Sequence, residues 1–374
     1  AGTGAVSTTV QTKLRESMSV MDFGATGNGS TNDYTAIVAA DAAAASAGKA
    51  LYFPSGTYIS NTLILMTASA WFGDSENTSI IKLQSGASVT NLVHVGPTSG
   101  TSTKTFCSLE NLQFNGNSGC TDSALKLRNV QQSSFRFLQT CNAVGNGFST
   151  TTSTTSINTQ ILRNEYASIV SYSNTGAGFL FVGEKDTRFD NLFARNNGSD
   201  GFKFKAFKDD GNQLAETTTC TITSLLSRDN GGNGFVFDMV EKYVAGALES
   251  TINAGAGFQF ESTLTGATSY GSNSLVCGAM LSRNDAQGAI RMSNTAYVYG
   301  LKIGSLIAFG FNSTLNYPGI IIYGGSTISF GNVLIQGFKA TAVFIQSGTP
   351  LGGPTTESNN IHFDLLKLVG NGDV

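Results

Sequence analysis

The sequence predicts an all-β chain in which similar coils stack into one solenoid, closed at its N-terminal end by a helix. Three observations predict it: Asn-x-x-x-Gly recurs five times, a Phe pair follows four of those glycines, and the 374 residues include 44 Gly but only 13 % charged residues. A fixed motif at intervals of 23 to 33 residues marks a stacked repeat, because one such unit cannot bury its apolar face alone. Abundant Gly, Ser, Thr and Asn suit short strands joined by tight turns.

The elements follow in chain order. Residues 1–18 read as a polar lead or neck. Residues 19–60 read as an N-terminal cap, with a short strand, a Gly-rich turn, a helix near residues 33–47 and a further strand. Asn32 stands as the helix N-cap with Asp33 in the first turn, Tyr34, Ile37 and Val38 form an apolar stripe, and Gly48 ends an Ala-rich run. Such a helix covers the open end of a stack, where a terminal coil would otherwise expose its core and its strand edges. Gly24 to Gly29 gives G-x-x-G-x-G ahead of that helix, but no Walker lysine follows and no βαβ unit surrounds it, which argues against a phosphate cradle.

These same residues carry a family resemblance. Val20-Met21-Asp22-Phe23-Gly24-Ala25, Gly27-Asn28-Gly29-Ser30-Thr31-Asn32-Asp33 and Leu51-Tyr52-Phe53-Pro54-Ser55-Gly56-Thr57-Tyr58 closely resemble the opening of the pectin-lyase-like right-handed parallel β-helix. Asn28 and Asn32 stand where the usual form has Asp, so these positions shape a turn and do not bind metal. Val10-Gln11-Thr12-Lys13-Leu14-Arg15-Glu16-Ser17 resembles the junction that precedes the β-helix of bacteriophage tailspikes. The resemblance implies a right-handed parallel β-helix over residues 61–370, a short tail at 371–374 and a homotrimer of helices lying side by side. It further implies a place on the virion tail, extracellular on release, and binding or degradation of a bacterial surface polysaccharide such as O-antigen, capsule or exopolysaccharide. No attachment or trimerisation domain is recognised, so the chain reads as a trimmed or a compact member.

Within the coils the motifs are Asn174/Gly178, Asn197/Gly201, Asn230/Gly234, Asn253/Gly257 and Asn284/Gly288. The Phe pairs are Phe179/Phe181, Phe202/Phe204, Phe235/Phe237 and Phe258/Phe260. A spacing of two puts both rings on one side of an extended strand and the residue between them, Leu180, Lys203, Val236 or Gln259, on the other. Buried Phe inside a coil is the expected reading, ahead of a sugar platform. Extended stretches at Phe189–Phe193, Ile222–Leu226 and Leu275–Leu281 precede the motifs. Stacked Asn side chains would lie about 4.8 Å apart and satisfy one another's amides, with the Gly supplying a permissive corner backbone.

Charge and composition exclude several functions. The net charge is −3 and no Lys or Arg run occurs, so nucleic acid is not an expected partner. No apolar stretch of membrane-spanning length is present, so membrane insertion is not expected either. The five Cys have no metal-like spacing and read as buried free thiols, and two His leave little material for a zinc site or a catalytic triad. No metal and no cofactor is expected. Chemistry falls to carboxylates, Lys, Arg or Tyr.

Loops of unequal length follow the Phe strands at 182–188, 205–220, 238–247 and 261–274, and they hold Glu184, Asp186, Asp209, Asp210, Glu216, Asp238, Glu241 and Glu261. Variable insertions on one face of a solenoid are the usual place for a site. Aligning coils on Gly-Phe puts Val182, Lys205, Asp238 and Glu261 in one column, so Asp238 and Glu261 fall on adjacent coils, with Glu241 three residues beyond Asp238. Clustered carboxylates split into one protonated acid and one ionised partner, as glycoside hydrolysis requires. Asp238, Glu241 and Glu261 are the expected catalytic residues. Expected to bind substrate are Lys205, Glu184, Asp186, Asp209 and Tyr243, with Phe207 a second ring able to stack on a sugar, and the basic stripe Arg195 and Arg228, with Arg163 and Arg283 in similar contexts. That stripe grips an anionic sugar or pairs with carboxylates between coils or subunits. A lyase acting by β-elimination on a uronate glycan, a non-catalytic glycan-binding spike and a plain structural stalk are the alternatives. Hydrolysis with inversion is what the resemblance favours.

Overall fold

The computed structural model describes residues 3–4, 7, 9, 16–153, 161–208, 214–215, 219–261, 273–292, 298, 300–310, 317–323, 325–346 and 358–370. They form a right-handed parallel β-helix. A long sheet of 17 strands runs from Met18–Ser19 to Ser358–Val369, and a second sheet of 11 strands runs from Ile64–Met66 to Val343–Gln346. A short sheet of four two-residue strands, Lys104–Thr105, Val130–Gln131, Ile161–Leu162 and Glu184–Lys185, closes the third side over part of the stack. Within these sheets the pairing is parallel, so equivalent residues of successive coils lie side by side.

The Phe pairs fill the interior of the second sheet. Phe179, Phe202, Phe235 and Phe258 stack at centroid spacings of 4.8, 5.0 and 5.2 Å, and Phe181, Phe204, Phe237 and Phe260 at 5.4, 5.5 and 5.2 Å. All eight rings are buried, each burial worth roughly 1.5–3 kcal/mol. Ile290 and Met292 continue the two inward columns where the aromatic pattern stops. The second extended stretches lie in the long sheet, in strands Arg188–Asp190, Leu192–Arg195, Thr221–Arg228 and Asn273–Arg283.

The corner between the long and second sheets carries the Asn ladder. Asn174 Nδ2 donates to Asn197 Oδ1, Asn197 Nδ2 to Asn230 Oδ1 and Asn230 Nδ2 to Asn253 Oδ1, each at 2.9 Å. The next rung is Asp285, not Asn284: Asn253 Nδ2 donates to Asp285 Oδ1 at 2.9 Å. The fifth motif was therefore set one residue early by the Asn284/Gly288 spacing. Asn284 instead takes the preceding corner position, in the left-handed region at φ 55°.

That corner position corrects the role of the motif glycines. The left-handed residues are Asn142, Ser173, Asn196, Asp229, Ile252 and Asn284, at φ 53° to 56°, each directly before the corner residue that faces inward. Asn and Asp tolerate this conformation better than most residues. Gly178, Gly201, Gly234 and Gly257 need no positive φ; they leave room for the ladder. A Cβ on Gly201 would meet Ser227 Oγ at 2.1 Å, and one on Gly234 would meet Ser250 Oγ at 2.1 Å. Those are hydroxyls that accept from the ladder amides Asn230 and Asn253 at 3.0 and 2.9 Å.

At the N-terminal end the helix spans Tyr34–Ala47. Its N-cap is Asp33, one residue later than expected, and the Asp33 carboxylate turns back to accept from Thr26 N, Thr26 Oγ1 and Gly27 N. Gly48 ends the helix in the left-handed region at φ 63°, as the sequence indicates. The buried face is Ile37, Ala40, Asp41 and Ala44, while Val38 is exposed. Asp41 ties the cap to the first coil by accepting from Thr67 N, Ala68 N and Trp71 Nε1 at 2.6, 2.9 and 2.6 Å. All five Cys are buried and free.

Candidate functional site

The outward face of the second sheet presents two neighbouring columns of side chains. One is Val182, Lys205, Asp238, Glu261, in direct cross-strand register. The other, two residues earlier, is Leu180, Lys203, Val236, Gln259, Arg291. Asp238 and Glu261 thus stand on adjacent parallel strands, about 4.8 Å apart at the backbone. Their position follows from the Phe register, since the residue after an inward Phe must point outward.

Each carboxylate has a lysine beside it. Lys205 Nζ lies 3.9 Å from Asp238 Oδ2, and Lys203 Nζ reaches across two coils to Glu261 Oε1 at 2.8 Å. Burial works against the Lys203 ammonium, but Glu261, Asp200 and Asp238 more than offset it and hold its pKa above the ordinary lysine range. Lys203 therefore stays cationic and suits holding an anion, not abstracting a proton. Asp238 is only 1 % exposed although it points out of the coil, and Val236 and Gln259 are buried too. Lys203 and Glu261 keep about a quarter of their surface accessible, at 25 % and 22 %.

Other expected residues lie elsewhere. Glu241 opens the strand Glu241–Thr251 of the long sheet, beyond a left-handed corner at Met239, so the stretch 238–247 is mostly strand and not loop. Glu184 is a correction: it was expected in a substrate-facing loop, but it is fully buried inside the coil. There it accepts from Tyr166 Oη at 3.0 Å and Thr187 Oγ1 at 2.9 Å. Burial pushes its carboxyl up to about 8. Tyr243 is a second correction, since it is fully buried and packs edge-on against Phe204 at 5.7 Å, which removes it from any sugar-stacking role. Asp186 sits at a left-handed corner with Arg163 Nε 4.0 Å away. Asp209, Asp210, Glu216 and the Phe207 side chain lie outside the described residues, as does most of 10–17.

The arginine column is real but separate. Arg195, Arg228 and Arg283 align on the outward face of the long sheet, with Thr251 between the last two. Arg195 stacks over Tyr172 at 5.0 Å, and Arg228 Nε donates to Asp229 Oδ2 at 3.0 Å. The Asn corner and a whole strand of the second sheet separate these guanidinium groups from Asp238. Sequence reasoning missed the Lys203 to Glu261 pair because it joins neighbouring columns, not members of one. The signal was present in two lysines spaced like the Phe pair they follow.

Among the described residues no group of three or more His, Cys, Asp and Glu could hold a metal ion. Among the described residues no helix is long and apolar enough to cross a membrane.

Residues 17–240 match the family model described as rhamnogalacturonase A/epimerase, pectate lyase-like. None of the curated protein sequences matches the chain. Among solved structures it is similar to the A-module of the mannuronan C-5 epimerase AlgE6 of Azotobacter vinelandii, with a TM-score of 0.69 and 17 % identity over 96 % of this chain and 100 % of that one. It is also similar to the pre-mature bacteriophage phi29 gene product 12, with a TM-score of 0.64 and 14 % identity over 93 % of this chain and 56 % of that one. ORF18 of Geobacillus virus E2 gives a TM-score of 0.59 and 13 % identity over 96 % of this chain and 63 % of that one. At these identities the likeness is one of fold.

Proposed function

The chain belongs to the rhamnogalacturonase A/epimerase, pectate lyase-like family, and from that premise we propose that it is an enzyme acting on a bacterial surface polysaccharide. The reaction we assign is hydrolysis of a glycosidic bond by Asp238 and Glu261. One observation carries the reading. The two carboxylates are register partners on adjacent coils of an outward, polar, largely covered face, each with a lysine beside it. One carboxyl group serves as acid and the other as base or nucleophile, while Lys203 and Lys205 bind substrate oxygen or carboxylate. Glu241 is a candidate third carboxylate.

A lyase would need a base in the groove able to take the proton beside the uronate carboxylate. The upward shift of Lys203 speaks against that lysine in the role. Fold likeness to two bacteriophage proteins supports placing the enzyme on a virion, and the tailspike-like junction at residues 10–17 is the ground for assigning it a homotrimer. Sedimentation of the purified chain tests the trimer.

The deciding experiment incubates the protein, D238N and E261Q with purified O-antigen, capsule and exopolysaccharide, followed by mass analysis of the products. Hydrolysis is expected to yield saturated oligosaccharides from the wild type and none from either variant. Products absorbing in the ultraviolet as unsaturated uronates would reassign the enzyme as a lyase. An intact polymer with changed sugar stereochemistry would make it an epimerase, and undiminished cleavage by both variants would remove the carboxylates from the mechanism.

A further inference from the structure

Two phenylalanines stand on the outside of the coil, Phe106 at the corner that leads into the long sheet and Phe137 on the long sheet itself, in a backbone conformation that bulky residues avoid. Phe106 has φ 54° and is 70 % exposed, and Phe137 has φ 51° and is 44 % exposed. A left-handed backbone is unfavourable for a large side chain, and an aromatic ring in water gains nothing from the hydrophobic effect. Both disadvantages fall on the same residues.

Their column neighbours show that the conformation alone does not call for Phe. Phe106 stacks with Gln132, Arg163 and Asp186, all left-handed, along a corner where Phe106 N donates to Gln131 O and Gln132 N to Leu162 O. Phe137 falls at the bend between the two legs of the long sheet, where the pairing skips one residue, and its neighbours there are Asn111, Ser168 and Asn191. Every other member of both columns is polar or small. Phe at these two positions is therefore an exception that the fold does not require, and strain of this kind is a pointer to function.

The surface between them has a consistent character. Tyr52 and Phe72 stack at 5.0 Å with their planes 21° apart, and their column continues directly into Glu110 and Arg136. Phe137 follows Arg136, and Phe106 lies on the Glu110 coil, five residues before the bend. At strand rise, the five residues from Phe106 to the bend span at most roughly 16 Å of backbone. That is the span of a short oligosaccharide. Rings that stack on the C–H face of a pyranose alternate here with a carboxylate and a guanidinium that can hydrogen-bond hydroxyls.

We propose that Phe106 and Phe137, with the Tyr52–Phe72 pair, form a second glycan-binding platform along the long sheet and the corner that leads into it, on a different face from the Asp238 groove. A polysaccharide chain fits this surface better than a second copy of the protein. The apolar area is split into separate rings among charges of both signs, whereas a stable protein interface needs a contiguous apolar centre. The platform holds the polymer while the groove works on another part of it. The inference rests on the reading of the chain as glycan-active but not on the carboxylate chemistry.

The test uses the full chain and F106N/F137N, since Asn occupies the positions equivalent to Phe137 at 111 and 191 and suits a left-handed backbone at Phe106 as well. The probe is a printed array of purified bacterial capsular, O-antigen and exopolysaccharides, with thermal melting as the folding control. The wild type and D238N are expected to bind at least one polymer, and F106N/F137N to bind it at least tenfold more weakly with an unchanged or raised melting point. Equal binding by the Phe variant, no binding of any polymer by wild type, or a loss of oligomerisation in place of binding would each overturn the platform. Polymer cleavage that survives in the Phe variant with unaltered binding leaves the groove standing and removes the platform. Phe-dependent binding without any reaction does the reverse.

Discussion

Asn253 donates both its backbone N–H and its side-chain amide to one oxygen of Asp285, each at 2.9 Å. Asp285 thereby ends the amide ladder as a pure acceptor, and Ser282 Oγ donates to its other oxygen at 2.6 Å. Burial pushes the Asp285 carboxyl up to about 6, against the hydrogen bonds it accepts. A folded pKa raised above the unfolded value means that the stabilising proton is fully in place below about pH 4 and is lost as pH rises through about 6. D285N restores a neutral rung of the kind seen at Asn253. It is expected to abolish that pH dependence and to raise stability at pH 8 by at most about 3 kcal/mol, read from melting curves at pH 4, 6 and 8.

The interior acid Glu184 gives a second alkaline sensitivity. Its carboxyl, raised to about 8 by burial, is protonated in the folded chain at neutral pH. Stability from this group is complete below about pH 4.5 and drains away as pH climbs toward 8, by at most about 5 kcal/mol. E184Q keeps the shape and removes the titration, so its melting point should be flat between pH 6 and 9 where the wild type declines. A parallel decline in both proteins would mean that Glu184 does not titrate there.

Gly201 tests the reading of the motif glycine. G201A forces a methyl group toward Ser227 Oγ and is expected to cost about 3 kcal/mol. In G201A/S227A the obstructing oxygen is gone, so the double variant should be more stable than G201A alone. If the glycine served only a permissive backbone, S227A would bring no recovery.

The ion pair of Lys203 with Glu261 bears on catalysis. K203M leaves Glu261 without its 2.8 Å partner and the groove with Lys205 as its remaining lysine. We expect kcat/KM to fall about tenfold, mostly through KM, as loss of a binding interaction does. D238N and E261Q should instead lower kcat, by about a hundredfold or more.

Much of this molecule was legible in the sequence. The Phe pairs fixed the inward face, and with it the register that aligns Lys205, Asp238 and Glu261, because a period of two leaves no freedom once one face is buried. What escaped was local. Asn284 and Gly288 kept the motif spacing while Asp285 took the ladder position, since an acid can accept the last amide as well as Asn can. Glu184 and Tyr243 looked solvent-facing because polar atoms rarely enter a core. Here Glu184, Tyr166 and Thr187 satisfy one another inside the coil. The helix starts one residue later than expected, at Asp33, whose carboxylate braces the preceding turn, while the Asn32 side chain still accepts from Tyr34 N at 3.1 Å.

Every rung from Asn174 to Asn253 hands its amide to the next coil in the same direction and by the same joint, and Asp285 receives the last one. Only the two ends are distinct. A whole coil duplicated between Asn197 and Asn253 would find a donor on one side and an acceptor on the other, with no group orphaned. The length of such a protein is therefore quantised, and its evolution can lengthen or shorten the groove one coil at a time while Asp285 keeps the terminus.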